Sequence, residues 1–165
     1  MKILKKISPL LIAVVLIFAD QLTKALAVSH LKGQPDYPLI PGILEFSYLE
    51  NTGAAFSSFL GRQGFLILLT LCVVCLLIWK FFQIPDNRRY LPMTVTFVLI
   101  ICGGIGNLID RIVNRYVVDF IYFVPIDFPK FNLADTYVSI GMVLLIILCF
   151  FYYKEEELNF LFKLK

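Results

Sequence analysis

Between Gly103 and Gly141 the chain carries Asn107, Asp110, Arg111, Asp119, Asp127, Asn132 and Asp135, with long apolar segments on either side. Carboxylates beside a bilayer cost free energy unless paired or hydrated, so such a group marks a functional site. Two carboxylates held close cannot easily both ionise, and they share a proton. The ionised one draws a proton from water while its partner donates to a carbonyl oxygen. Such a pair hydrolyses an amide without metal, cofactor, covalent intermediate or histidine.

Other hydrolytic chemistries lack their residues. His30 is the only histidine, which excludes an HExxH zinc hydrolase. A Ser-His-Asp triad would have to use it, and no GxSxG accompanies it. A Ser-Lys dyad would need Lys24, already beside Asp20 at helical spacing, or Lys80, at the far end of its apolar segment.

Which carboxylates pair stays open at this level. Asp135 opens the last long apolar segment just after Asn132, where an acidic group suits a helix N-terminus. Asp119 sits in the apolar run YVVDFIYF, where a carboxylate has no packing reason to be. Asp110 reads as a partner of the neighbouring Asn107 and Arg111, and Asp127, between Pro125 and Pro129, as a solvated turn residue. Asp119 with Asp135 is one combination among several.

The rest of the chain must hold these groups at a membrane. Of 165 residues, 59% are hydrophobic and 16% charged, and the mean hydropathy is +0.83. A soluble domain carries about a quarter charged residues, so this chain belongs to the membrane class. The net charge of +3 comes without a basic stripe interleaved with aromatics, which argues against nucleic acid as a partner. Apolar length predicts spans at about residues 8–28, 64–82, 91–109 and 136–153, each near the 20 residues that cross a bilayer. MKILKK followed by Leu10–Ala19 resembles a signal peptide, with Ala25-Leu26-Ala27 as a small-residue cleavage site. The polar Asp20, Gln21, Thr23 and Lys24 interrupt that pattern, so the segment reads as a first transmembrane helix.

Asp20 and Lys24 share a helical face and can pair, with Lys24 expected to snorkel to the interface. Gly103, Gly104 and Gly106 allow close approach of another helix or of a substrate. Residues 29–63 form a structured loop. Its turn formers include Pro35, Pro38, Pro41 and Gly42, Ile43–Leu49 is strand-like, and Asn51–Ser58 (NTGAAFSS) is small and polar. Positive charge collects at the N-terminus, at Lys80–Arg89 and after Tyr153. The positive-inside rule then puts both termini in the cytoplasm and the acidic block outside. The tail after Tyr153 reads as an amphipathic interfacial segment. The four cysteines lie in apolar runs, so the CxxC of Cys72 and Cys75 reads as two small hydrophobes, and no disulfide framework is implied.

The chain resembles the lipoprotein signal peptidases, the bacterial type II signal peptidases, over nearly its whole length. Five blocks stand in that family's order: DQLTK at Asp20–Lys24, NTGAAF at Asn51–Phe56, GNLIDR at Gly106–Arg111, VVDF at Val117–Phe120 and FNLAD at Phe131–Asp135. The resemblance implies a single membrane domain of four transmembrane helices with a small extracytoplasmic β-sheet cradle. It implies a monomeric aspartic endopeptidase of the bacterial cytoplasmic membrane, in contact with membrane lipid. Its expected substrates are prolipoproteins, cut before a diacylglyceryl-modified cysteine. The catalytic residues it implies are Asp119 and Asp135. Asn51, Gly53, Asn107, Arg111 and Asn132 match positions that line the site or position substrate, and Asp20 and Lys24 match a supporting block. One departure is Arg115, where the family often has glycine. Two rival classes remain: a small proton-path transporter using Asp20, Asp119 and Asp135, and a lipoprotein chaperone that binds without cutting.

Overall fold

The computed structural model describes residues 2–53 and 63–162, with side chains from residue 9 to 53 and from 63 to 161. Its long elements are helices α1 (Lys2–Leu31), α2 (Gln63–Phe81), α3 (Leu91–Val113) and α4 (Leu133–Ile147), with strands β1 (Tyr37–Ile40), β2 (Leu44–Asn51) and β3 (Val117–Phe123). Pro9–Leu31, Gln63–Phe81, Arg88–Val113 and Leu133–Tyr152 are each long and apolar enough to cross a membrane.

Helix α3 is the axis of the bundle. Over half (56%) of its most apolar window is buried, against 17–22% in the other three. Glycine makes this closeness possible. A Cβ on Gly103 would overlap Ala134 O and Val138 of α4, and one on Gly106 would overlap the Asp20 carboxylate and approach Ala134. The glycine run therefore serves helix packing.

The helices outrun their apolar segments. α1 continues unbroken through Ala25-Leu26-Ala27 to Leu31, and α3 continues past Ile109 to Val113. Asp110 and Arg111 therefore lie on α3 and not in the loop after it. α4 begins at Leu133, because Asn132 caps it. The Asn132 side chain accepts from the Asp135 N–H, and the Asp135 carboxylate accepts from the Asn132 N–H. This reciprocal box satisfies two of the otherwise unpaired donors of the first turn.

The three strands form an antiparallel sheet in the order β1-β2-β3. β2 overlaps the expected strand, beginning one residue later at Leu44 and running on to Asn51; β1 and β3 join it from segments that carry no clean alternation. Val117 to Phe120 are all buried, so β3 shows no apolar–polar alternation and reads in sequence as an apolar run broken only by Asp119. The sheet packs on the end of α1, where Ala27 and Leu31 meet Val118, Phe120, Phe46 and Tyr48. At the other end of the bundle, Met93, Phe97, Leu148, Tyr153 and Leu158 form a second core. There the last turn of the α4 rod widens into a π-helix over Leu148–Tyr152. The short helical turns Glu155–Leu158 and Asn159–Phe162 follow, and the ring of Phe160 packs edge-on against Tyr90. Ala54–Ser58, the remainder of the small polar stretch, and Leu164 of the tail lie outside the described residues. All four cysteines are free thiols, with Cys72 and Cys75 on the exposed face of α2.

Candidate active site

Sheet register brings the first carboxylate into place. Asp119 of β3 stands opposite Leu49 of β2, and Asn51 stands opposite Val117. Asn51 is thus diagonal to Asp119, within reach across the ladder, and its Nδ2 donates to Asp119 Oδ2 at 2.8 Å. A bridge between Ile121 and Phe131 then folds the chain back along β3. This delivers Asn132, whose Nδ2 donates to Asp119 Oδ1 at 2.7 Å. Asp119 is 1% exposed.

The helix cap brings in the second carboxylate. Asp135 Oδ2 accepts from the Asn132 N–H at 3.2 Å, and Asp135 Oδ1 accepts from Asn107 Nδ2 of α3 at 2.7 Å. Asn132 therefore donates to both aspartates, with its side chain to one and its backbone to the other. Burial pushes the Asp119 carboxyl up to about 7, and the negative charge of Asp135 adds to the rise. The amides of Asn51 and Asn132 act in the opposite sense and only partly offset it. A carboxylic acid that keeps its proton near neutrality, beside a second carboxylate, can act as a general acid.

The remaining expected residues surround this pair. Gly53 donates its N–H to Asn51 Oδ1 at 2.9 Å and offers its carbonyl to Arg111 Nη2 at 3.3 Å. Arg111 also reaches Asn107 O from Nη1, at 3.4 Å, and is 9% exposed. Among the described residues its buried Nε has no hydrogen-bond partner.

Asp20 and Lys24 pair at 3.0 Å, as their spacing predicts. Lys24 does not snorkel, however. It is 3% exposed, turned into the protein, where Asp110 Oδ2 takes a second contact at 3.1 Å and Asn107 Oδ1 accepts at 2.9 Å. The polar end of α3 offers the ammonium two buried acceptors, Asp110 and Asn107. Asp110 is correspondingly not a local partner of Arg111. Besides Lys24 it accepts from the Val118 N–H at 3.1 Å and from Gln21 Nε2 at 3.1 Å. Asp127 is the exposed turn residue expected, accepting from the Tyr122 hydroxyl at 2.7 Å.

The chain matches a known family over most of its length. The family model described as signal peptidase (SPase) II matches residues 12–151. A lipoprotein signal peptidase of Clostridium tetani (strain Massachusetts / E88) is 45% identical over 141 residues, covering 84% of this chain and 89% of that protein. Another, from Streptococcus pyogenes serotype M5 (strain Manfredo), is 39% identical over 144 residues, covering 87% and 91%. The chain belongs to the signal peptidase II family. Two solved structures, each described as a bacterial membrane enzyme, superpose on this peptidase with a TM-score of 0.78. They are 33% and 34% identical to it, and cover 90% and 88% of the chain. It is thus a multi-pass bacterial membrane protein and a hydrolase of peptide bonds, in the family of lipoprotein signal peptidases.

Two residues of this peptidase gain meaning only in three dimensions. Gln21 appears in sequence merely as an interruption of an apolar run. Its amide nevertheless links Asp20, Asp110 and the Gly106 carbonyl, at 3.1, 3.1 and 3.2 Å. Its place inside the DQLTK block is the one signal that marks it. Arg115 has φ +68°, in the left-handed region, which explains why glycine suits that position. The turn before β3 holds an arginine in this region, at a conformational cost of about 1–2 kcal/mol.

Proposed function

We propose that this peptidase cuts prolipoproteins immediately before a diacylglyceryl-modified cysteine, with Asp119 and Asp135 as its catalytic pair. The observation that carries the assignment is Asn132, which donates to both carboxylates and so holds them as one unit. At neutral pH the pair keeps one proton. The ionised carboxylate takes a proton from water as its oxygen adds to the scissile carbonyl carbon, and the protonated one donates to the carbonyl oxygen. Collapse of the tetrahedral species breaks the C–N bond, and a proton from the pair goes to the departing amine of the cysteine. Arg111, whose donors are poorly occupied, orients the peptide through its carbonyls, together with Asn51, Gly53, Asn107 and Asn132.

The protein acts as a monomer, a single domain in contact with membrane lipid. Its termini lie in the cytoplasm and the aspartates near the extracytoplasmic face. Support for that orientation comes from Lys80, Arg88 and Arg89, which mark the end of the bundle opposite the carboxylates. The substrate helix enters laterally from the bilayer with its acyl chains left in hydrocarbon.

The test is incubation of purified protein with a diacylglyceryl-modified prolipoprotein and with its unmodified counterpart, read by mass spectrometry. The expected product begins at the lipidated cysteine, forms at the same rate with a chelator present, and is absent from the unmodified substrate. Binding without any cleavage would favour a chaperone, and equal cleavage of both substrates would refute lipid recognition.

A further inference from the structure

Each asparagine around the two carboxylates is held by a donor that cannot accept. Asn51 Oδ1 takes the Gly53 N–H at 2.9 Å, and Asn132 Oδ1 takes the Asp135 N–H at 2.9 Å. Both of these are backbone groups. For Asn107 the corresponding donor is a side chain, the Lys24 ammonium, at 2.9 Å. An amide can present either its oxygen or its NH2 to a neighbour, whereas an ammonium has three protons and no acceptor. The oxygen of Asn107 must therefore face Lys24, and its NH2 must face Asp135. Asn132 Nδ2 also reaches Asn107 Oδ1, at 3.2 Å, but the contact is longer and uncharged. Charge-assisted bonds are roughly twice as strong as neutral ones.

The ammonium has no freedom to do otherwise. Its three protons answer to three acceptors: Asp20 Oδ2, Asp110 Oδ2 and Asn107 Oδ1. Asp20 is itself fixed by the Ala134 N–H at 2.9 Å, and Asp110 by the Val118 N–H. The cluster thereby ties α1, α3, the start of β3 and the start of α4 to a single nitrogen.

Resting on the catalytic assignment above, we infer that Lys24 is a positioning residue for the peptidase reaction. Through Asn107 it sets the direction of the hydrogen bond that Asp135 receives, so that Asp135 faces a donor and stays available as a proton acceptor. Without it, Asn107 can rotate its oxygen toward Asp135, which then faces an acceptor instead.

A double-mutant cycle on kcat and KM, with a diacylglyceryl-modified prolipoprotein as substrate and matched folded amounts, tests this. Lys24→Met is expected to lower kcat about 10- to 100-fold, the scale of a misplaced reacting group, with KM unchanged. In an Asn107→Ala background the same substitution should lower kcat no further. If Lys24→Met fails to fold, the cycle is run in Asp20→Asn protein, where losing the lysine leaves the net charge of the cluster as in wild type. An unchanged kcat in Lys24→Met, or a loss that multiplies in full on Asn107→Ala, would overturn the inference and leave Lys24 a purely structural ion. A wild type that does not cleave would instead count against the peptidase reading itself.

Discussion

The two ends of helix α3 carry the same kinds of charged pair in opposite settings. At its C-terminal end Lys24 meets Asp20 and Asp110 with every side chain at most 3% exposed. At its N-terminal end Arg89 meets Glu157 at 3.0 Å with the two side chains 40% and 27% exposed. Arg89 also donates to Tyr152 O and stacks over the Tyr152 and Tyr153 rings. The buried cluster is compulsory, because removing one member strands the others in a low dielectric. The exposed clasp can lose a member to water at little cost. One end of the bundle is built to hold charges in fixed directions, while the other is built to hold a tail.

The largest difference between the two ends is expected at Lys24. Thermal unfolding of Lys24→Met in detergent should show a loss of about 3–5 kcal/mol, the usual result of orphaning a buried charge. A loss no larger than that of an exposed pair would mean that water reaches the cluster. Next in size is Gly106→Ala, whose methyl would press on the Asp20 carboxylate and on Ala134. It should cost about 1–3 kcal/mol through overpacking, and an unchanged melting temperature would show that α1 and α3 can separate freely.

The pH dependence sharpens the contrast further. Asp119 is raised from 3.8 to about 7 in the folded protein, so between those values the folded state binds more protons than the unfolded one. Its contribution to stability is therefore fullest below about pH 4 and declines as pH rises to about 7. Wild type should lose melting temperature across that window more steeply than Asp119→Asn, whose amide does not titrate. Parallel curves would mean that Asp119 titrates like an exposed acid. The smallest effect is expected at the opposite end. Arg89→Ala should change stability little, and added salt should erase most of the difference; a large, salt-insensitive loss would make the two ends alike.

Much of the candidate site is legible in sequence because its residues stand in short blocks of unusual type. A carboxylate in YVVDFIYF, an asparagine three before Asp135, and Asp20 four before Lys24 each have a local reason to be noticed. The direction in which Lys24 turns was not legible. Helical spacing fixes a face, but whether that face meets water or another helix depends on α3, more than eighty residues away. The same holds for Asp110, whose side-chain partners Lys24 and Gln21 belong to α1. β3 escaped because alternation disappears when both faces of a strand are covered. α4 starts three residues before its apolar length suggests because the Asn132–Asp135 box caps it, and α1 and α3 run past their apolar segments.

Hydrolysis by the proposed pair requires Asp119 and Asp135 together. Cleavage of a diacylglyceryl-modified prolipoprotein is followed with wild type, Asp119→Asn and Asp135→Asn at matched folded amounts. Each variant is predicted to lose at least about 10³-fold in rate, within the range general acid–base catalysis supplies, while remaining folded. Near-normal cleavage by either variant would contradict the pair and move the chemistry to another carboxylate.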